Sequence, residues 1–118
     1  MIELTDLFKN RYSCRNYLPD DIKDEDIQKI LYDGTLAPST KSIIQSIGAC
    51  IENMLLSATD LGISSLWIRA TSCIEKEIEI MLDKQNEHLM ACISLGYDNK
   101  KERIKVRNRV EEITSWHK

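Results

Sequence analysis

No stretch of this chain is apolar for long enough to cross a bilayer. Its first residues, Met1-Ile2-Glu3-Leu4-Thr5-Asp6, lack the basic-then-apolar pattern of a secretory leader, so the cytoplasm is the expected compartment. The four cysteines, Cys14, Cys50, Cys73 and Cys92, are widely spaced and form no C-x-x-C pair. With only His88 and His117 as further soft ligands, a zinc site is not expected. The thiols read as small apolar groups in a reducing compartment. There is no Walker loop, no Rossmann glycine set and no Ser-His-Asp arrangement. Nucleotide hydrolysis, dinucleotide binding of the Rossmann kind and acyl transfer by a triad thus have no sequence support. A net charge of −3 also disfavours general nucleic-acid binding.

What is present is one domain's worth of ordinary globular sequence: residues 1–118, 42% hydrophobic and 30% charged. Thr5 can cap a short helix over 6–10. Residues 11–18 read as a loop or extended piece, and Pro19-Asp20-Asp21 as a turn. Asp24 opens a second helix with an acidic first turn, which suits the helix dipole, and Gly34 ends it. A long helix is expected over about 42–61, with Ile44, Ile47, Ile51, Met54, Leu55, Ala58 and Leu61 at steps of three and four. Ile43, Cys50 and Leu56 add a second apolar side, so this helix is expected to be buried, and Gly62 to be its left-handed stop. Ser65-Leu66-Trp67-Ile68 reads as a buried strand. Ser72 and Glu75 have capping-box spacing for a fourth helix. Leu89–Leu95 is near-continuously apolar, as in a strand covered on both faces.

Positive charge is gathered at the two chain ends. Lys9, Arg11 and Arg15 lie near the start; Lys100, Lys101, Arg103, Lys105, Arg107 and Arg109 lie near the end. In Arg11-x-Ser13-x-Arg15, an extended backbone would put two guanidinium groups and a hydroxyl on one side, a set suited to a phosphate monoester. Taken alone such a triplet is more often solvated, and so is a basic tail. Trp67 alone reads as core, and Pro38-Ser39 as a turn between helices.

The order and wording of several segments resemble the FMN-dependent nitroreductase family. They are Arg11-Tyr12-Ser13-Cys14-Arg15-Asn16-Tyr17, Leu36-Ala37-Pro38-Ser39, the run Ile51–Ile68 and Leu95-Gly96-Tyr97. The likeness breaks once, near residue 42, where a few tens of residues of the family pattern are absent. The resemblance implies an α+β fold, a mixed sheet flanked by helices, reduced in strand number by that central deletion. It implies an oxidoreductase that uses NAD(P)H to reduce bound FMN, then a nitroaromatic, quinone or similar small-molecule acceptor, in a ping-pong cycle. The flavin would carry the chemistry, so no catalytic side chain or metal is expected.

By the same resemblance, Arg11, Tyr12, Ser13 and Arg15 would meet Lys105 and Arg107 around the FMN phosphate. Arg103 and Arg109 are near enough to exchange with that pair. Pro38 and Ser39 would approach the ring and its side chain; the family's following Asn is absent here. Arg69 and Ala70, just past Trp67, would bring backbone N–H groups toward the ring. Glu52 and Asn53 are assigned no chemistry, the family's Asn at that place being structural. An intimate homodimer is expected, with the C-terminal segment crossing to the partner and no nucleic-acid or membrane partner. The alternative is a non-catalytic dimeric remnant or interaction module that has lost flavin binding.

Overall fold

The computed structural model describes residues 2–68, 74–99 and 105–118. Among the described residues, five helices and two strands follow in the order α1 (Leu4–Asn10), α2 (Asp24–Thr35), α3 (Ile43–Asp60), β1 (Ser64–Ile68), α4 (Glu75–Met81), β2 (Cys92–Gly96) and α5 (Val110–Ile113). β1 and β2 pair antiparallel, with Ser64 opposite Gly96 and Ile68 opposite Cys92. Residues 12–18 run along this pair. Ser13 makes a parallel bridge to Ser65, and Tyr17 an antiparallel bridge to Asp98. The Cys14 N–H donates to the Ser65 carbonyl at 2.9 Å and the Leu18 N–H to the Tyr97 carbonyl at 2.7 Å. The fold is therefore α+β, with helices against a small sheet that has both pairing senses at its edge.

The core forms where α2, α3 and the turn into β1 converge. Ile30, Ala58 and Ile63 are almost fully buried there, with Met54, Leu61, Leu95 and Tyr97 packed around them. α2 approaches α3 closely because Gly34 has no side chain; a Cβ there would stand 2.6 Å from Met54 Cγ. Polar bonds fix the same crossing. Asp33 accepts from Ser57 Oγ at 2.6 Å and from Lys29 Nζ at 2.8 Å, while Asn53 Nδ2 donates to the Asp33 carbonyl at 3.1 Å. Those two donors hold the Asp33 carboxyl below the usual carboxylate range, the Lys29 bond contributing most. Asn53 is thus a structural residue, as expected. Gly62, at φ +74°, makes the left-handed turn that sends the chain from α3 into β1.

The break near residue 42 is closed locally. Ser42 Oγ accepts from the Gln45 N–H at 3.3 Å as the α3 cap, Thr40 Oγ1 accepts from the Ser42 N–H at 3.0 Å, and Ser46 Oγ accepts from the Thr40 N–H at 2.8 Å. Three short hydroxyl side chains thus satisfy the backbone of a turn that leads straight into the helix.

Several expectations are corrected. α1 begins at Leu4 with Glu3 in the cap position and no side-chain cap bond, so Thr5 lies inside the helix. α3 is not buried along its length. Ile51, Leu55, Ser57 and Ala58 are buried, but Ile43 and Ile44 are 71% and 72% exposed, because nothing among the described residues covers its first turn. β2 starts at Cys92, not Leu89. The Leu89 N–H is taken by Glu79 Oε1 at 3.2 Å, which ties that residue to α4 and out of the ladder. Nor is β2 covered on both faces: its residues are half-buried except Gly96, and Ile93 and Leu95 open onto an apolar trough. α4 starts at Glu75 with Ile74 in the cap position, while Ser72 lies outside the described residues. Among the described residues, no helix is long and apolar enough to cross a membrane.

Candidate functional site

A cleft of about 780 Å³ lies between α1, α3, β1 and the segment that starts at Lys105. α3 supplies its floor. Glu52 and Leu55, three residues apart, line it from one face, and on the same face the Trp67 ring lies over Gly48, 3.9 Å from where a Cβ would stand. Leu55 is buried; Trp67 is 44% exposed and forms a wall. Phe8 and Lys9, from the end of α1, close another side.

The cations arrive from both ends of the chain. Arg11 and Ser13 enter on the extended segment that pairs with β1. Lys105 and Arg107 enter from the other terminus. Lys105 Nζ donates to the Phe8 carbonyl at 3.0 Å, at the negative end of α1. Burial depresses the Lys105 ammonium, and the positive charges of Arg11 and Arg107 depress it further, with Glu52 acting the other way. Such mutual repulsion marks a place where positive charge has been collected without an equal amount of negative charge. An anion in the cleft would relieve it.

Of the residues expected at one phosphate site, Arg11, Ser13, Lys105 and Arg107 line this cleft. Arg15 does not. After Cys14 the segment leaves β1 for the end of β2, and Arg15 is exposed beyond the cleft. Tyr12 points to the opposite side, as alternation along an extended chain requires. Its hydroxyl lies 3.2 Å from Ser64 Oγ and donates to the Asp98 carboxylate; burial and then the Asp98 bond raise its pKa. Pro38 and Ser39 are exposed on the α2–α3 connection and do not line the cleft. Arg69, Ala70 and Arg103 lie outside the described residues. Arg109 does not line the cleft and sits 3.6 Å from Glu111. Five residues that sequence reasoning left out of the site, Phe8, Lys9, Glu52, Leu55 and Trp67, do line it. The i, i+3 relation of Glu52 and Leu55, beside a tryptophan on the next strand, was the signal available. Elsewhere, ligand atoms of Glu75, Glu79 and the exposed His88 lie within 4.8 Å of one another.

On the far side of α3, Ile47, Cys50, Ile51 and Met54 line the apolar trough of about 440 Å³ with residues of α2 and of the stretch 88–95. It holds no cation cluster and is chemically unlike the cleft.

A cationic, hydroxyl-bearing cleft beside a tryptophan has the lining that an anionic ligand with an apolar body would need. The model of the Nitroreductase family matches residues 8–45 and 40–97, and the chain belongs to that family. The match comes as two segments that meet at residues 40–45, at the turn closed by Thr40, Ser42 and Ser46. No curated protein matches the chain. Among solved structures, a BluB-like flavoprotein from Clostridium difficile 630 superposes with a TM-score of 0.86 at 19% identity, covering 100% of both chains. A nitroreductase family protein from Streptococcus pneumoniae TIGR4 gives 0.87 at 14% identity, covering 98% of this chain and 100% of that one. A nitroreductase with bound FMN from Bacteroides fragilis NCTC 9343 gives 0.80 at 22% identity, covering 99% and 100%. At these identities the likeness shows a shared fold. Family membership, with an FMN-bound relative of that fold, supports a flavin-type oxidoreductase.

Proposed function

We propose that this protein is an FMN-dependent oxidoreductase whose cleft holds the flavin by its phosphate. The observation that carries this reading is the convergence of Arg11, Ser13, Lys105 and Arg107, from opposite chain ends, on one cleft. The residues present fit the group. Two guanidinium forks and a hydroxyl can donate to a phosphomonoester, and an ammonium adds a point charge. The cleft volume lies within the usual range for a ligand of this size. When bound, FMN supplies the redox chemistry, accepting hydride from NADH or NADPH and passing electrons to a nitroaromatic, quinone or similar acceptor in a ping-pong cycle. The protein's share is to bind, orient and shield. Arg11 and Arg107 fix the phosphate, and Trp67 with Leu55 gives an apolar wall that keeps water from one side. Arg69 and Ala70, which follow Ile68, are carried to the ring by the family resemblance alone; Tyr12, Arg15, Pro38 and Ser39, which the same resemblance names, do not line the cleft.

A homodimer belongs to the same proposal. The chain exposes 9730 Å², against about 6,600 Å² for a compact monomer of its mass. Its radius of gyration is 16.5 Å, against about 13.5 Å for a compact domain of this length. In the C-terminal segment, Val106 and Trp116 are 86% and 82% exposed. Apolar side chains held that far from their own core suit an arm laid on a partner subunit. The free thiols of Cys14, Cys50 and Cys92 suit a reducing compartment such as the cytoplasm.

The visible spectrum of the purified protein is the test. A yellow protein that takes up FMN, and bleaches with NAD(P)H in the absence of oxygen, is the expected result. A colourless protein that takes up no FMN would leave the reading of a non-catalytic dimeric module, and a yellow one that does not bleach would leave a flavin binder.

A further inference from the structure

Glu52 is the one described carboxylate lining the cationic cleft. It is exposed, and among the described residues it forms no ion pair. Lys9, the fourth cation of the lining, stands 3.7 Å from Asp6 and is partly neutralised there. That leaves Arg11, Lys105 and Arg107 facing Glu52. Three positive groups against one negative group give a surplus of two positive charges. A phosphomonoester near neutral pH carries about −1.5 to −2, so the surplus of the described lining is close to the charge of one terminal phosphate. Without Glu52 the surplus of the described lining would be three, nearer the charge of a pyrophosphate.

We propose that Glu52 is a specificity-determining residue that matches the cleft to a single phosphomonoester and penalises ligands with further phosphate groups. This rests on the phosphate-site reading above and extends it, since it explains why a carboxylate sits among cations that are to bind an anion. The position is set by the fold. Glu52 lies one turn from both Gly48 and Leu55 on the face of α3 that floors the cleft. Its charge therefore meets any second phosphate that extends along the floor. In a partly solvated cleft, one extra unit of ligand charge near Glu52 changes affinity on the order of five- to tenfold. The device is one of exclusion, in which a like charge in the site discriminates against the wrong ligand.

Calorimetric titration with inorganic phosphate, pyrophosphate and tripolyphosphate tests this in the wild-type protein, in Glu52→Gln, and in Glu52→Gln combined with Lys105→Gln. In Glu52→Gln, affinity for pyrophosphate relative to phosphate is expected to rise five- to tenfold, and for tripolyphosphate more. The double variant restores the surplus of two charges and should return the ratio toward that of the wild type. An unchanged ratio in Glu52→Gln overturns the proposal. So does a ratio that stays high in the double variant, or a Glu52→Gln protein that loses phosphate binding, which would make Glu52 a ligand contact. If the wild-type protein binds none of the three anions, the phosphate-site reading fails and takes the proposal with it. Anion binding that follows the expected ratios in a protein that refuses FMN would overturn the flavin reading and keep the role of Glu52. The substitution is isosteric at an exposed position, so the fold is retained.

Discussion

The two sides of α3 differ in kind. One side, with Glu52 and Leu55, floors a cleft crowded with cations. The other, with Ile47, Cys50, Ile51 and Met54, lines a trough with few polar groups. The trough side is made by the helical repeat itself and by the neighbouring α2. The cleft side is made by segments that meet only in the fold: residues 8–13, residue 67 and residues 105–107. One helix thus separates the apolar packing that stabilises the chain from the gathered positive charge of the cleft. The separation has a physical reason. Buried charge without a partner is costly, so the cations gather on the face where water or a ligand can answer them.

The largest effect that would sharpen this contrast is expected on the trough side. Ile51→Ala should cost about 2–5 kcal/mol in urea unfolding, as buried aliphatic truncations do, and leave FMN affinity of the folded protein unchanged. On the cleft side the pattern reverses. Arg11→Ala or Arg107→Ala should weaken FMN binding by about 1.5–3 kcal/mol in fluorescence titration, with little change in thermal midpoint. An Arg107→Ala protein that loses stability but not affinity would break the contrast. At the start of α3, Ser42→Ala removes the cap and should cost about 1 kcal/mol of stability.

The smallest effects are those of pH. Lys105 is depressed by burial and by Arg11 and Arg107, so in this window the unfolded chain binds the more protons. Stability should rise as pH climbs through the folded Lys105 value toward the usual lysine range, and bound phosphate should flatten that rise. Asp33 works at the other end. Its lowered pKa gives stability that is present above the ordinary carboxylate range and lost as pH falls through the folded value. The first effect belongs to the cleft and should respond to phosphate. The second belongs to the α2–α3 crossing and should not.

How much of this was legible in the sequence follows the same division. α2, α3, the Gly62 stop and the position of β1 were readable, because periodicity and local turn chemistry carry them. The start of β2 was not. The apolar run from Leu89 suggested a longer strand, but a single carboxylate on α4 takes the Leu89 N–H. The exposure of Ile43 and Ile44 was misjudged for a related reason: apolar character says what should be covered, not whether the chain itself covers it. At the cleft, family resemblance supplied Arg11, Ser13, Lys105 and Arg107. It did not supply Glu52, whose place among cations depends on which face of α3 meets the chain ends. Tyr12 and Arg15 share the motif with Arg11, but alternation turns Tyr12 away and the departure of the chain from β1 carries Arg15 past the cleft.

The central claim is that cations from both chain ends form one phosphate site for a flavin. Equilibrium titration of the flavin-free protein with FMN and with riboflavin tests it most directly, since the two ligands differ only in the phosphate. The account predicts much tighter binding of FMN, and loss of that preference in Arg107→Ala. Equal binding of the two flavins, or a preference for FMN that survives in Arg107→Ala, would contradict it.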